Sequence, residues 1–252
     1  MISVVVLGAG HVGTHLCRAI HHAENLRLIQ WYNRSKINNP TEHITVEICH
    51  NLNALATADV YVITVSDSSV EELSNQIPFK DRLVVHTSGS VPMRLLNSKN
   101  RRGVFYPLQT FSKIAAIDFK NVPICVESTD KKDRNTLKLV AKALNSPTYT
   151  INSEQRQALH LTAVFVNNFT NQLYRIAHEL TDEKGLDFDI LKPLILETAK
   201  KVQHLSPYMA QTGPAKRRDT KTIKTHLKLL ESHPNYKDLY EQLTKSIQKT
   251  HG

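Results

Sequence analysis

Residues 2–20 read ISVVVLGAGHVGTHLCRAI, an apolar run that enters Gly8-x-Gly10-x-x-Gly13 and leaves in a helical pattern. Glycines at that spacing suit a dinucleotide's pyrophosphate. The first permits a tight turn, the second lets backbone approach the phosphates, and the third lets the helix pack on the strand. The unsatisfied N–H groups of the helix start then face the anion. The cradle is assigned to Gly8, Ala9, Gly10, His11, Val12 and Gly13. About twenty residues on, an NAD site usually carries a carboxylate for the ribose 2′-hydroxyl. Here the second strand ends in Asn33-Arg34-Ser35, with no carboxylate to repel a 2′-phosphate. Arg34 can fork onto its oxygens or stack on adenine, and Asn33 and Ser35 can donate further hydrogen bonds. The expected cofactor is NADP; a solvated turn with Arg34 in water is the competing reading.

More small polar residues stand where later strands end. One strand leaves through Val65 and Ser66, the next through Thr87, Ser88 and Gly89. They suit the ribose and amide of a nicotinamide nucleoside, and capping or turn formation by the same hydroxyls is the alternative. Ser88 lacks the GxSxG elbow that exposes a nucleophile. In GVFYPLQTFSK, Gln109 and Thr110 follow Pro107, as in a loop leaning over the reactive face, and are assigned to substrate.

Farther on, HLTAVFVNN offers His160, Asn167 and Asn168. Histidine titrates near neutral pH, so His160 can protonate the oxygen or nitrogen formed when hydride reaches a C=O or C=N carbon. Asn168 can orient that group and Asn167 can line the site. A His160 packed with a satisfied ring is an equal alternative. The asparagine pair, costly to bury unpaired, can bond a symmetry partner instead. Arg217, in QTGPAKRRD, can reach an anionic substrate group, Asp219 reads as a helix N-cap, and His226 as a packing residue. The histidines show no metal-ligand spacing, so no metal is expected.

These residues need elements to position them. Strand-like runs at 3–8, 26–32, 59–65, 82–88, 102–107, 122–128 and 147–151 alternate with helical patterns at 12–23, 68–76 and 131–145. Such βαβ alternation predicts an α/β domain over 1–151, a Rossmann doubly wound, mostly parallel sheet. Strand signals then almost vanish. Helical patterns at 153–184, 189–204, 219–232 and 235–249 predict an all-α domain over 152–252, for substrate and dimerisation.

Composition excludes other classes. The 252 residues are 40% apolar and 22% charged, with a formal charge of +9 spread over both halves. Lys216, Arg217, Arg218, Lys221, Lys224 and Lys228 cluster without interleaved aromatics, which suits a solvated helix face better than a stacking surface for nucleic acid. No apolar run approaches the roughly 20 residues of a membrane span. The run from Ile2 lacks a basic n-region and reads as a strand, not a signal peptide. Cys17, Cys49 and Cys125 are odd in number and scattered, which fits a reducing cytoplasm.

LGAGHVG, HTSGSVP, FYPLQTFS, ALHLTAVFVNNF and QTGPAKRRD, with His226 beyond them, together carry a resemblance over nearly the full length. The N-terminal half is similar to the wider group of 6-phosphogluconate and β-hydroxyacid dehydrogenases, pyrroline-5-carboxylate reductases and deazaflavin-linked NADP oxidoreductases. The whole chain resembles bacterial proteins that join a Rossmann-like domain to a C-terminal helical domain of unknown function, often labelled NADP oxidoreductases. The resemblance implies an NADP site and a homodimer formed through the helical domain, and it implies no settled substrate. The hydroxyacid and phosphogluconate enzymes carry a catalytic Lys followed four residues later by Asn. Here His160 stands for the Lys, Val164 occupies the Asn position, and Asn167 and Asn168 follow on the same helical face. The combined expectation is a cytoplasmic NADP-dependent oxidoreductase acting on a small polar substrate, anionic ones included, in an interdomain cleft. A non-catalytic NADP-binding sensor or scaffold is the rival.

Overall fold

The computed structural model describes residues 1–35, 44–112 and 117–251. The opening apolar run becomes β1 (Ile2–Leu7), whose Val4, Val5, Val6 and Leu7 are closed to solvent. Burial on both faces marks a central parallel strand, where β-branched side chains pack well. β1 pairs in parallel with β2 (Leu26–Tyr32) on one side and with β4 (Val60–Ile63) on the other. A short β3 (Glu47–Cys49) lies beyond β2. Beyond β4 follow β5 (Leu83–His86), β6 (Arg101–Pro107), β7 (Ile124–Ser128) and β8 (Thr148–Thr150). The sheet order is β3-β2-β1-β4-β5-β6-β7-β8, and its pairs are parallel except for β6 with β7. Strand order reverses between β1 and β4, which opens the crevice where such sheets bind ligands.

Successive β1 side chains point to opposite faces, and each face has its own core. On one, Val4 and Val6 pack with Leu16, Cys17 and Ile20 of α1 (His11–His22) and with Leu137, Val140 and Ala141 of α3 (Lys131–Ala143). On the other, Val5 and Leu7 pack with Val70 of α2 (Val70–Gln76) and with Val91 and Leu96. The sheet is thus doubly wound.

α4 (Ser153–Ala163) starts with a capping box in which Asn152 and Gln155 satisfy each other's backbone N–H. A π turn (Val164–Phe169) follows, then α5 (Thr170–Asp182), α6 (Lys192–His204), α7 (Pro207–Ala210), α8 (Thr220–Leu229) and α9 (Pro234–His251). Contacts divide the chain into two compact units, Met1–Asn168 and Phe169–Gly252, so α4 is grouped with the sheet. In the second unit only Ala215, Leu230 and Thr244 are buried among the described residues, while Ile190, Leu194 and Met209 are more than 60% exposed. Among the described residues no helix is long and apolar enough to cross a membrane.

Candidate functional site

The turn between β1 and α1 is built from its glycines outward. Gly8 has φ +121°, a conformation L side chains rarely adopt, and a Cβ there would stand 2.9 Å from the Thr64 carbonyl oxygen. A Cβ on Gly13 would stand 2.4 Å from the Gly8 oxygen, so helix and strand touch backbone to backbone. Gly10 differs: its Cβ would meet only the Thr64 oxygen, at an ordinary 3.6 Å. Packing within the chain therefore does not demand glycine at position 10; the missing side chain leaves open space in front of the helix. α1 begins there with no side-chain cap and no acidic residue in its first turn, which leaves its N–H groups and positive end for an anion.

The end of β2 braces this turn. Trp31 Nε1 donates to the Gly8 oxygen at 2.8 Å, and the Ala9 N–H donates to Asn33 Oδ1 at 3.2 Å. Asn33 also donates through Nδ2 to the Ser35 oxygen, so its amide fastens the glycine turn to the loop that carries Arg34. Arg34 and Ser35 are exposed and share a cavity of about 250 Å³ with Gly8, Val65, Ser69 and Glu72.

The hydroxyls beyond β4 and β5 shape their own loops. Thr87 is buried, and its N–H and hydroxyl both donate to the Ile63 oxygen, at 3.1 and 3.2 Å. Ser88 Oγ accepts from the Ser90 and Val91 N–H groups at 3.1 and 3.0 Å. Ser66 Oγ is 3.0 Å from Ser69 Oγ, and Ser90 donates to the Asp67 carboxylate. His86 is fully buried and accepts the Ser88 N–H on Nδ1; burial pushes its pKa down to about 3, so it stays neutral.

Helix α4 is tied down at its first turn. Arg156 is fully buried, pairs through Nη1 with Glu127 of β7, and donates through Nη2 to the Val91 oxygen at 2.6 Å. Ser153 donates to Glu127 from its backbone N–H and its hydroxyl, and Gln157 Nε2 donates to the Ser90 oxygen at 3.0 Å. One turn after Arg156, His160 reaches over Gly89. A Cβ on Gly89 would lie 2.6 Å from His160 Nδ1 and 2.8 Å from Tyr106 Cζ, so a side chain there displaces both rings. Tyr106 Oη and His160 Nδ1 are 3.3 Å apart. These two residues, with Gln109, Thr110, Asn167 and Asn168, line a cavity of about 430 Å³.

The loop carrying Gln109 and Thr110 is held to α1: His11 Nδ1 donates to the Phe111 oxygen at 2.9 Å and His15 Nε2 to the Ser112 oxygen at 2.8 Å. His11 thus joins the glycine turn to the loop over the cavity. Tyr106, Arg156 and His15 carry these contacts without having stood out in the sequence. For Tyr106 the available signal was its place at a strand end, within FYPLQTFS.

Arg217 belongs to the second unit, exposed on the turn from Gly213 to Arg218, with its N–H on the Gly213 oxygen at 3.3 Å. Asp219 caps α8 by accepting the Thr222 N–H at 3.0 Å, which holds its carboxyl below the usual range. His226 packs against Tyr240, with Nδ1 2.9 Å from the hydroxyl. Among the described residues no group of three or more His, Cys, Asp or Glu side chains is placed to hold a metal ion.

A doubly wound sheet with this glycine turn at its point of reversal defines the Rossmann class of dinucleotide-binding proteins. Residues 3–89 match the family model for NADP oxidoreductases, coenzyme F420-dependent, and residues 122–247 match the domain of unknown function DUF2520. A Bacteroides fragilis protein provisionally assigned as an NADP oxidoreductase is 38% identical, with a TM-score of 0.88 over 98% of both chains. The chain belongs to this family of NADP oxidoreductases that carry a DUF2520 domain. A Thermotoga maritima protein shares the fold at a TM-score of 0.81 and 19% identity, over 98% of this chain and 99% of its own. So does an imine reductase from Myxococcus stipitatus in complex with NADP+, at 0.67 and 14%, over 99% of this chain and 96% of its own. No curated protein matches the chain.

Proposed function

We propose that the protein passes a hydride between NADP and the C=O or C=N carbon of a small polar substrate, with His160 exchanging the accompanying proton. The observation that carries this reading is His160 seated over Gly89, in a loop that, like the glycine turn, follows the carboxyl end of a parallel strand. The carboxyl ends of such strands are where a dinucleotide crosses the sheet.

The residues present fit the cofactor. The open space at Gly10 and the uncapped start of α1 suit a pyrophosphate, and exposed Arg34 and Ser35 suit a 2′-phosphate. When bound, NADP supplies or accepts the hydride. His160 then holds a proton over the cavity, while the amides of Asn167 and Asn168 and the side chains of Gln109 and Thr110 orient the substrate's polar group. The C=N alternative gains support from the imine reductase with the same fold.

The second unit supports a homodimer formed through the helical residues beyond 151. Among its described residues this helical unit buries only Ala215, Leu230 and Thr244, while Ile190, Leu194 and Met209 stand exposed, and exposed apolar side chains in numbers suit an interface. The buried, unpaired Cys17, Cys49 and Cys125 are in keeping with a cytoplasmic setting.

The test follows NADPH absorbance against panels of aldehydes, keto acids and cyclic imines. Turnover on one panel, lowered about a hundredfold or more in His160→Asn at unchanged NADPH affinity, is the expected result. Tight NADPH binding with no turnover on any panel would leave a sensor in place of an enzyme.

A further inference from the structure

Two rings meet over Gly89, and the role of the second follows from the first. Tyr106 stands at the end of β6, nearly buried, with its ring edge-on to His160 and the centroids 6.2 Å apart. Its hydroxyl lies 3.3 Å from Nδ1. The backbone of Gly89 underlies both rings, close enough that even a methyl there would collide with each. Burial pushes the Tyr106 pKa up to about 12, so the group is a neutral hydroxyl over the working range. Such a hydroxyl can donate one hydrogen bond and accept another. Toward the lone pair of a neutral imidazole it donates, which leaves the ring proton on Nε2. Toward an imidazolium it accepts from Nδ1–H. In both states Nδ1 is engaged, and Nε2 is the nitrogen left for chemistry.

We propose that Tyr106 is the positioning residue of this site: its hydroxyl occupies Nδ1 of His160, so that the substrate's proton is exchanged at Nε2. The inference rests on the reading of His160 as the acid–base group. In the reducing direction the new C–H bond forms with a hydride supplied by NADPH. The π pair of the C=O or C=N bond moves to the heteroatom, which takes the proton from Nε2 as that N–H bond breaks. The ring is left neutral as the Nδ1–H tautomer, bonded to the Tyr106 oxygen. Nε2 then regains a proton from solvent, a water leaving as hydroxide. Loss of the Nδ1 proton from that imidazolium, with the Tyr106 hydroxyl turned to donate, returns the resting Nε2–H form.

Tyr106→Phe in the full chain keeps the ring against Gly89 and removes only the hydroxyl. The first readout is the tautomer of His160, read from two-bond proton–nitrogen NMR correlations and assigned by their loss in His160→Asn. Wild-type neutral His160 is expected as the Nε2–H form, and Tyr106→Phe is expected to raise the Nδ1–H form severalfold. The second readout is turnover: kcat is expected to fall about tenfold or more, toward the size of a general acid–base contribution, with KM and NADPH affinity nearly unchanged. Gly89→Ala disturbs the same contact from below and is expected to shift the tautomer in the same direction. An unchanged tautomer in both variants overturns the proposal, even if His160→Asn abolishes turnover. A shifted tautomer alongside a fully active His160→Asn overturns the acid–base reading instead, and Tyr106 then positions nothing in the reaction.

Discussion

At the scale of single residues, Arg34 is the group proposed to separate two dinucleotides that differ by one phosphate. Its guanidinium is exposed at the rim of the cavity beside Gly8, next to an asparagine already engaged with Ala9. Hydrogen bonds to charged groups contribute about 1.5–3 kcal/mol, so Arg34→Ala is expected to weaken NADPH binding about ten- to a hundredfold. NADH binding should stay within about twofold, because the adenine stack contributes less than a charged fork. Fluorescence titration of both nucleotides measures the pair, and equal weakening of both would remove Arg34 from the 2′-phosphate. The hydroxyls after β5 show what residue type leaves open. Thr87 gives its hydroxyl to the Ile63 oxygen, while Ser88 Oγ accepts the Ser90 and Val91 N–H groups and keeps its own proton to donate. A serine beside a strand end looks the same in a sequence whether it faces a ligand or its own loop.

At the scale of elements, α4 owes its place to one buried cation. Arg156 binds Glu127 on β7 and the Val91 oxygen in the loop after β5, which brings His160 one turn later over Gly89. Removing one member of a buried pair leaves the other charge uncompensated, at a cost of about 3–5 kcal/mol. Arg156→Met is therefore expected to lower stability by about that much, and Arg156→Met with Glu127→Met by less than the single change. Urea unfolding of the three proteins measures this; a double variant no more stable than Arg156→Met would show that the carboxylate is not the source of the loss. Most elements were legible because apolar runs alternate with helical periods. β3 was not, since three residues are too few to show an alternation and their pairing with β2 is decided by contact. Nor was the antiparallel turn of β7 against β6, because an apolar run carries no direction. The stretch from Ser153 onward reads as uninterrupted helix, and the π turn at Val164–Phe169 leaves no mark in glycine or proline. That turn nevertheless brings Asn167 and Asn168 to the cavity with His160.

At the scale of the molecule, the two units differ in what holds them. The sheet has cores on both faces, whereas the second unit leaves Leu186, Ile190, Leu194, Leu205 and Met209 open to solvent. If a second copy covers that surface, Leu194→Asp is expected to convert a dimer to a monomer at micromolar concentration. Burying one unpaired carboxylate costs several kcal/mol, comparable with the gain from the apolar contacts it interrupts. Light scattering with size-exclusion chromatography reads the change. A wild-type monomer, or a Leu194→Asp protein that stays dimeric, would count against this interface.

The amino-acid order alone carried the glycine turn, the absence of a carboxylate after the second strand, the α/β-then-α division and the Asp219 cap of α8. Each depends on groups within a few residues of one another, and spacing along the chain encodes such local geometry directly. The meeting of Gly89, Tyr106 and His160, the burial of Arg156 and the pairing of β3 came only with the tertiary structure. They join residues distant in sequence, and whether a side chain there faces a ligand, a loop or a partner depends on which surfaces the folded chain brings into contact. That GAGHVG can cradle a phosphate is written in six residues; that a histidine about 150 positions later sits over Gly89 follows from the packing of α4 against the sheet.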